Sequence, residues 1–353
     1  MVASLLPVPA TIRPVRAAIY HGAGRITVEE VARPRIGDGE LLVRVTACGL
    51  CGSDLMRWYQ DPRAPVVLGH EPVGVVAEAG KGAGFDVGAR VFVHHHVPCF
   101  VCRLCRSGRH TLCDTFKATR IDPGGLAEFI RVPAENVRAD VLMLPEGIDD
   151  LTGTLIEPVA CIVRGQRQAG VGRGSRVAVV GAGSMGLLQI QVSHALGAAA
   201  VVALEPDSKR RQGAARVGAV TPDGLDAHAV RDALDGHLAD QVFVCTHDHR
   251  AIAEALHMAG PGGVVQLFAP TQPGDLVALD LGAIFFHEVT LQSTYSAGPD
   301  DTRAALDLLA AGHIATDSVI SHRMPLERAD EAYRMAASGE VIKVVVEVSE
   351  GHL

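Results

Sequence analysis

From residue 15 to about 140 the apolar positions fall in short runs separated by glycine, proline and aspartate. Arg16–Tyr20, Leu41–Val45, Gly74–Val76, Arg90–Val93 and Phe129–Val132 each read as a strand. Ile36-Gly37-Asp38-Gly39 and the stretch from Gly80 to Gly88 read as turns between them. Strands at this spacing predict a compact, barrel-like β domain. Near residue 150 the pattern changes. Leu151–Gln168 has a helical period, and Arg176–Val180 is an apolar strand followed by a helix from Leu187 to about Leu196. Ala200–Leu204, Gln241–Val244, Gly263–Leu267 and Val289–Thr294 continue the alternation of strand and helix. That rhythm predicts a doubly wound parallel sheet, so the fold class is α/β with a β domain in front. Beyond Ser296 the pattern predicts a helix over 300–311, a strand at Ser318–Ile320, a helix over 326–338 and a last strand within Lys343–Val348. This tail carries no phosphate-binding fingerprint and is expected to fold back onto the first domain. The expected domains are therefore 1–157, 158–295 and 296–353, with a cysteine-rich lobe at 94–116.

Composition narrows the function. At 353 residues, two domains are expected. The net charge is −8 and no basic block is long, which argues against a nucleic-acid partner. No apolar run reaches membrane-spanning length. Met1–Pro14 has three prolines and no charged start before an apolar run, so it reads as a loose extension and not a secretory signal. A cytoplasmic protein is expected.

Four of the eight cysteines lie at Cys99, Cys102, Cys105 and Cys113. Four thiolates on one loop can close a tetrahedral zinc shell, and a closed shell has a structural role. An iron–sulfur cluster or free thiols are the alternatives, and no further cysteine pairs support a cluster. A different donor mixture lies between Cys48 and Glu71. Cys51, His70 and Glu71 offer a thiolate, an imidazole and a carboxylate, which suit an open zinc site. Glu157 is a second acidic candidate. Ser53 is placed to take a proton from an oxygen bound there, and Asp54 to accept a hydrogen bond from a ligand imidazole. Cys48 reads as a small buried residue. Singly, each of these has an ordinary reading as a core, turn or solvated residue.

The third signal is Gly181-Ala182-Gly183-Ser184-Met185-Gly186, which follows a predicted strand and opens a predicted helix. In that context a dinucleotide pyrophosphate is the expected ligand. Glu205 ends the next strand, where a carboxylate binds the adenosine ribose and repels a 2′-phosphate, favouring NAD over NADP. Arg210 is expected on the adenine side. With Lys209 and Arg211 it makes the patch basic, which leaves some tolerance for NADP.

Taken together, Cys51-Gly52-Ser53-Asp54, Gly69-His70-Glu71, the four-cysteine lobe, Leu155-Ile156-Glu157-Pro158, the glycine fingerprint and Glu205-Pro206 resemble the zinc-dependent medium-chain dehydrogenases. The resemblance spans Val15 to Val348 and is strongest to the polyol (sorbitol or iditol) and threonine dehydrogenase branches. It implies a GroES-like catalytic domain, a Rossmann domain and a C-terminal return. It implies two zinc ions per chain, one catalytic and one structural, and NAD as hydride acceptor. Cys51 and His70 are then catalytic zinc ligands, Glu71 a resting-state ligand, Glu157 a direct or water-mediated ligand, and Ser53 the first proton acceptor. Gly181, Gly183, Ser184, Met185, Gly186, Glu205, Arg210 and Thr246 are the implied cofactor contacts. A homo-oligomer is implied, with a tetramer favoured over a dimer.

Three features depart from the family pattern. Many relatives carry a proton-relay histidine where this chain has Met56. The loop Cys245-Thr246-His247-Asp248-His249 stands where a glycine is usual, and His94-His95-His96 precedes the cysteine lobe. These histidines, with Trp58, Tyr59 and Phe116, are candidates for the substrate cleft or for plain packing. The expected activity is oxidation of a secondary alcohol such as a polyol or cyclitol. An amino-alcohol substrate is the rival within the enzyme class, and a non-catalytic sensor or scaffold the rival outside it.

Overall fold

The computed structural model describes residues 13–349, so the extension expected at Met1–Pro14 lies outside them but for its last two residues. Eight strands come first: β1 (Val15–Tyr20), β2 (Ile26–Val31), β3 (Leu41–Gly49), β4 (Val66–Val67), β5 (Glu71–Ala79), β6 (Arg90–Val93), β7 (Phe129–Val132) and β8 (Val141–Met143). Five follow: β9 (Arg176–Val180), β10 (Ala200–Leu204), β11 (Ala239–Val244), β12 (Ala259–Leu267) and β13 (Thr290–Ser293). The last two are β14 (His322–Pro325) and β15 (Val344–Glu347). The chain divides into two units. One runs through Glu157 and takes in Gly298–Leu306 and everything from Ile320 on; the other holds Pro158–Ala297 and Asp307–Val319.

The first unit is built on β3, in which eight of nine residues are buried. β3 pairs antiparallel with β5 along its length. Its other edge is shared: Leu41–Arg44 pair with β7, and Ala47–Gly49 pair with β15. The sheet order is β14-β15-β3-β5-β6-β8, and a smaller sheet has the order β2-β1-β4. Leu41, Val43, Val45, Val76, Val91 and Ile130 share one core with Met324, Tyr333, Val344 and Val346 from the tail. The C-terminal segment thus completes a hydrophobic core begun some 300 residues earlier, as β15 faces β3 at Val346↔Cys48.

The second unit is a parallel sheet in the order β10-β9-β11-β12-β13. β9 and β10 are almost wholly buried, which is why their sequences are continuous apolar runs and do not alternate. Outside β10, the next chain segment makes only a single parallel bridge, Val202↔Val220. Thr221-Pro222-Asp223-Gly224 follows at once, and proline and glycine end a strand there. The chain leaves β9 for β10 on one side and returns to place β11 on the other, so the loop after β9 sits at a topological switch point, where open α/β sheets bind ligands.

Several expectations need correction. The helix expected over Leu151–Gln168 is two helices, Asp150–Gly153 and Ile156–Ala169, with Asp149 accepting the Thr152 amide to start the first. No strand forms at Ser318–Ile320. Thr316–Ser318 is a 3-10 turn held to the helix Ser184–Ala195: Gln191 Oε1 accepts the Ala315 amide at 2.6 Å, and Gln191 Nε2 donates to Ser318 Oγ at 3.3 Å. That attachment is why Asp307–Val319 belongs to the second unit, although the whole of 296–353 was expected to return to the first. The strand comes later, as β14. The helix expected from Leu326 begins as a 3-10 turn and is α-helical from Ala329 to Ser338.

Candidate active site

β3 ends at Gly49, and Cys51 opens the short helix Gly52–Leu55. Asp54, on that helix, is 1% exposed. Its Oδ2 accepts the Cys51 amide at 3.0 Å, and its Oδ1 lies 3.3 Å from His70 Nδ1. Burial disfavours the Asp54 carboxylate, but the His70 ring and the amides of Cys51 and Gly69 outweigh it, and the group titrates below its usual range. Burial likewise opposes a charge on His70, yet Asp54 and Cys51 carry its pKa well above the usual value. Ser53 Oγ lies 3.5 Å from His70 Nε2. Cys51, His70 and Glu71 present ligand atoms within 4.8 Å of one another. Cys48 is fully buried, as expected, with its thiol pKa pushed up by burial.

Glu71 opens β5 and is fully buried. Its Oε2 is 2.6 Å from Lys343 Nζ, a close ion pair, yet neither carboxylate oxygen has a hydrogen-bond donor in line. Burial lifts the Glu71 carboxyl above its usual range, against the pull of Lys343. Lys343 stands just before β15 and also donates to the Leu50 carbonyl at 3.2 Å. Burial lowers its pKa, but Glu71 and Cys51 reverse that and leave it raised. The sequence reading missed this lysine; a lone cation in an apolar tail strand was the signal. Glu157, in the first turn of the helix Ile156–Ala169, is grouped with His94 and His95. It had been expected with Cys51 and His70.

Cys99, Cys102, Cys105 and Cys113 converge, with Sγ–Sγ separations of 3.5 Å for Cys113–Cys99 and 3.9 Å for Cys99–Cys105. A tetrahedral zinc with bonds of about 2.3 Å places its sulfurs about 3.8 Å apart, so the cluster suits zinc. Its apolar support is slight: Cys105, Cys113 and Phe116 are the buried members of the cluster. Burial opposes ionisation of Cys113, but backbone amides lower its thiol to about 6. Phe116 packs against His94, His96 and this lobe, so it is a packing residue. Arg63 lies over the Tyr59 ring, and Trp58 meets Tyr59 edge to face.

In the second unit, β9 runs into the glycine loop, and Gly183 caps the helix Ser184–Ala195. A Cβ on Gly186 would collide with the Gly181 carbonyl, so the helix packs on the strand only with glycine there; a Cβ on Gly183 would meet nothing within 4 Å. That open space above a helix N-terminus fits a pyrophosphate. Glu205 is buried; its Oε2 accepts the Ala182 amide at 2.8 Å and its Oε1 the Asp207 amide at 3.0 Å. Arg210 lies in the first turn of the helix Ser208–Arg216, its amide bonded to Asp207 Oδ1 at 2.9 Å. Thr246 Oγ1 accepts the Asp248 amide at 3.2 Å, and Asp248 caps the helix His249–Met258. The residues from Thr246 to His249 are thus a helix start.

A GroES-like β domain with a mixed-donor cluster, joined in one chain to a parallel-sheet domain with a glycine-rich switch-point loop, defines the class of zinc-type oxidoreductases. Residues 37–145 match the alcohol dehydrogenase GroES-like domain, and residues 184–311 match the zinc-binding dehydrogenase domain. The sorbitol dehydrogenase of Halalkalibacterium halodurans is 30% identical over 92% of this chain and 96% of its own length. The L-threonine 3-dehydrogenase of Pyrococcus horikoshii is 32% identical over 90% and 93%. A protein of zinc-binding dehydrogenase type from Sinorhizobium meliloti, solved with NADP bound, superposes with a TM-score of 0.85 at 30% identity, covering 95% of this chain and all of that one. The chain belongs to the zinc-dependent medium-chain dehydrogenase family, and it is an oxidoreductase of the alcohol and polyol type. Among the described residues no helix is long and apolar enough to cross a membrane.

Proposed function

We propose that the protein is an NAD-dependent dehydrogenase of a secondary alcohol, with a polyol, cyclitol or similar hydroxylated metabolite as substrate. The observation that carries this reading is the convergence of Cys51, His70 and Glu71 beside the Ser53 hydroxyl. A thiolate, an imidazole and a carboxylate are the donor set of a zinc site with a position left open. The Glu71 oxygens, buried without an aligned donor, fit the same purpose. When bound, the zinc supplies Lewis-acid polarisation of the substrate hydroxyl and the nicotinamide takes up the hydride.

The side chains then have distinct tasks. Asp54 holds the proton of the His70 ring on Nδ1 and so leaves Nε2 as the donor atom. Ser53 takes the hydroxyl proton. Met56 cannot titrate, which leaves water or a cofactor ribose hydroxyl as the onward carrier. Glu71 has an alternative partner in Lys343 and is the ligand able to release the ion. Glu157 lies close enough to Glu71 to raise its pKa, and reaches the zinc directly or through water. Cys99, Cys102, Cys105 and Cys113 hold the structural zinc. NAD is favoured by the Glu205 carboxylate, which also fixes the glycine loop through Ala182, and Gly181, Gly183, Ser184, Met185, Gly186, Arg210 and Thr246 line the cofactor. The first unit, with its C-terminal return, is the catalytic domain and the second binds the dinucleotide.

An amino-alcohol substrate is the second reading, supported by the likeness to the threonine dehydrogenase. A homo-oligomer, a tetramer in this reading, is supported by Phe285 and Phe286, 77% and 81% exposed on the helix Leu281–His287, and by β13 at the sheet edge. Eight cysteines without a disulfide among them, five of them needed as thiolates, suit the reducing cytoplasm. The test is a screen of polyols, cyclitols, amino alcohols and simple alcohols with NAD and with NADP. Polyol oxidation with NAD is expected, and Ser53→Ala should lower kcat about 10²–10⁴-fold with zinc content unchanged. A near-wild-type rate in Ser53→Ala would remove it from the mechanism; a wide preference for NADP would overturn the role of Glu205.

A further inference from the structure

The consecutive histidines after β6 do not share one role. His94 is fully buried, and its Nδ1 lies 2.7 Å from Asp140 Oδ2, while Asp140 Oδ1 lies 2.6 Å from the Thr302 hydroxyl. His96 Nδ1 meets the Thr119 carbonyl. Both rings also pack on Phe116. These two are tied into the protein. His95 packs against His70 of the catalytic cluster, with 4.8 Å between ring centroids, and one of its nitrogens lies within 4.8 Å of a Glu157 oxygen. Neither nitrogen of the His95 ring has a hydrogen-bond partner among the described residues, and Nδ1 is buried. The residue itself is only half-buried, so small molecules reach it.

The main chain behind this ring is held still. Asn136 Nδ2 donates to the His94 carbonyl at 2.9 Å and to the His95 carbonyl at 3.2 Å. Asn136 and Asp140 are four residues apart on the helix Ala134–Asp140 and so share a face, where both are buried. One helix face therefore fixes the backbone of both residues and the ring of His94. A polar ring positioned by its neighbours, but bonded to none of them through its nitrogens, is preorganised for a ligand. A buried nitrogen without a partner is also costly, and a ligand that supplies the bond removes that cost.

We propose that His95 hydrogen-bonds a second hydroxyl of the substrate, on the carbon next to the one oxidised, so that the site selects a vicinal diol over a simple alcohol. This rests on the dehydrogenase reading above and names the feature of the substrate that the site reads. The reacting oxygen belongs beside Ser53 and His70, whose Oγ and Nε2 are 3.5 Å apart. Oxygens on adjacent carbons are separated by roughly a hydrogen-bond length, so an oxygen beside the His70 ring brings its neighbour to the His95 ring. A neutral imidazole offers one donor and one acceptor, and a hydroxyl offers the same pair. A substrate carboxylate would call for a cation, and the buried Lys343 is already taken by Glu71 and the Leu50 carbonyl.

Matched alcohols test this on the full-length, zinc-loaded protein. Propylene glycol carries the second hydroxyl, isopropanol lacks it, and isopropanolamine has an amine in its place. The wild type is expected to favour propylene glycol over isopropanol in kcat/KM by about 10–100-fold, the effect of leaving one buried polar group unpaired. His95→Phe keeps a ring without its nitrogens and should abolish that preference, mainly through the KM of the diol. His95→Asn keeps a donor and an acceptor and should retain part of it. With NADH bound, where no oxidation can occur, the dissociation constant of propylene glycol should rise about 10–100-fold in His95→Phe, with zinc content unchanged. Zinc lost from His95→Phe, or an undiminished diol preference in that variant, overturns the proposal. So does a wild type that treats propylene glycol and isopropanol alike or favours isopropanolamine. The dehydrogenase reading is judged separately: turnover of isopropanol alone leaves it standing, and only a failure to oxidise any alcohol removes it, and this inference with it.

Discussion

The Asp54 carboxylate stands 3.3 Å from His70 Nδ1 and, through its other oxygen, accepts the Cys51 amide at 3.0 Å. A single buried side chain therefore orients two donors that are 19 positions apart. Asp54→Asn keeps the shape and loses the charge. Zinc affinity of the Cys51 site is expected to fall about 10–100-fold, read by competition with a chromophoric chelator. Wild-type affinity in this variant would mean that the imidazole is oriented by something else.

Lys343 is the counter-charge of a carboxylate with no access to water. Lys343→Met should destabilise the metal-free protein by about 3–5 kcal/mol, the usual cost of leaving one partner of a buried pair uncompensated. Urea unfolding of metal-free and zinc-loaded samples measures it. Zinc should recover much of the loss, because the ion takes over the charge on Glu71. A loss below about 1 kcal/mol would place the pair in the range of solvated ion pairs.

Glu205→Ala should weaken NAD binding about 10–100-fold, since a charged acceptor of the Ala182 amide is lost and such bonds contribute about 1.5–3 kcal/mol. NADP binding should weaken less, narrowing the discrimination. Fluorescence titration of both cofactors reads the two affinities, and an equal loss for both would confine Glu205 to supporting the loop.

Burial pushes the Cys245 thiol, just after β11, up to about 12. In the unfolded chain a thiol ionises from about pH 8.5. Between those values the folded form binds the extra proton, so stability falls as pH rises, by up to about 1.4 kcal/mol per pH unit. Below about 8.5 both forms are protonated and the contribution is constant. Cys245→Ala should flatten the alkaline limb when unfolding midpoints at pH 7, 9 and 10 are compared with those of the wild type. Parallel limbs would show that this thiol is not the group responsible.

The parts legible in the sequence were those written in local patterns. The apolar runs of β9 and β10, the glycine loop and the spacing of the four cysteines each announce themselves within a few residues, because burial on two faces, a tight turn and a metal shell impose local composition. What stayed hidden depends on distant partners. Lys343 looks like an ordinary lysine until β15 is set beside β3. Glu157 was expected with Cys51 and His70, and its charge does act on Glu71, but only the fold shows that His94 and His95 stand beside it too. The strand expected at Ser318–Ile320 has the right residues, but Gln191 captures the preceding turn with two hydrogen bonds. Outside β10 the chain makes one bridge at Val220, and no strand was expected there.

The pairing of β15 with β3 also sets a timetable for synthesis. Cys48 meets Val346, 298 residues later, so the end of the strand that leads into Cys51 has one edge unfilled until β15 is made. At about 5–20 residues per second, that edge waits roughly 15–60 s during translation. Glu71 waits almost as long for Lys343, 272 residues later. The parallel-sheet segment from Pro158 to Val319 is complete before then and is free to fold first. A nascent chain stalled before residue 340 would therefore carry a finished sheet and an unfinished metal site, with the Cys51 thiol and the Glu71 carboxylate still open to water and to passing ions.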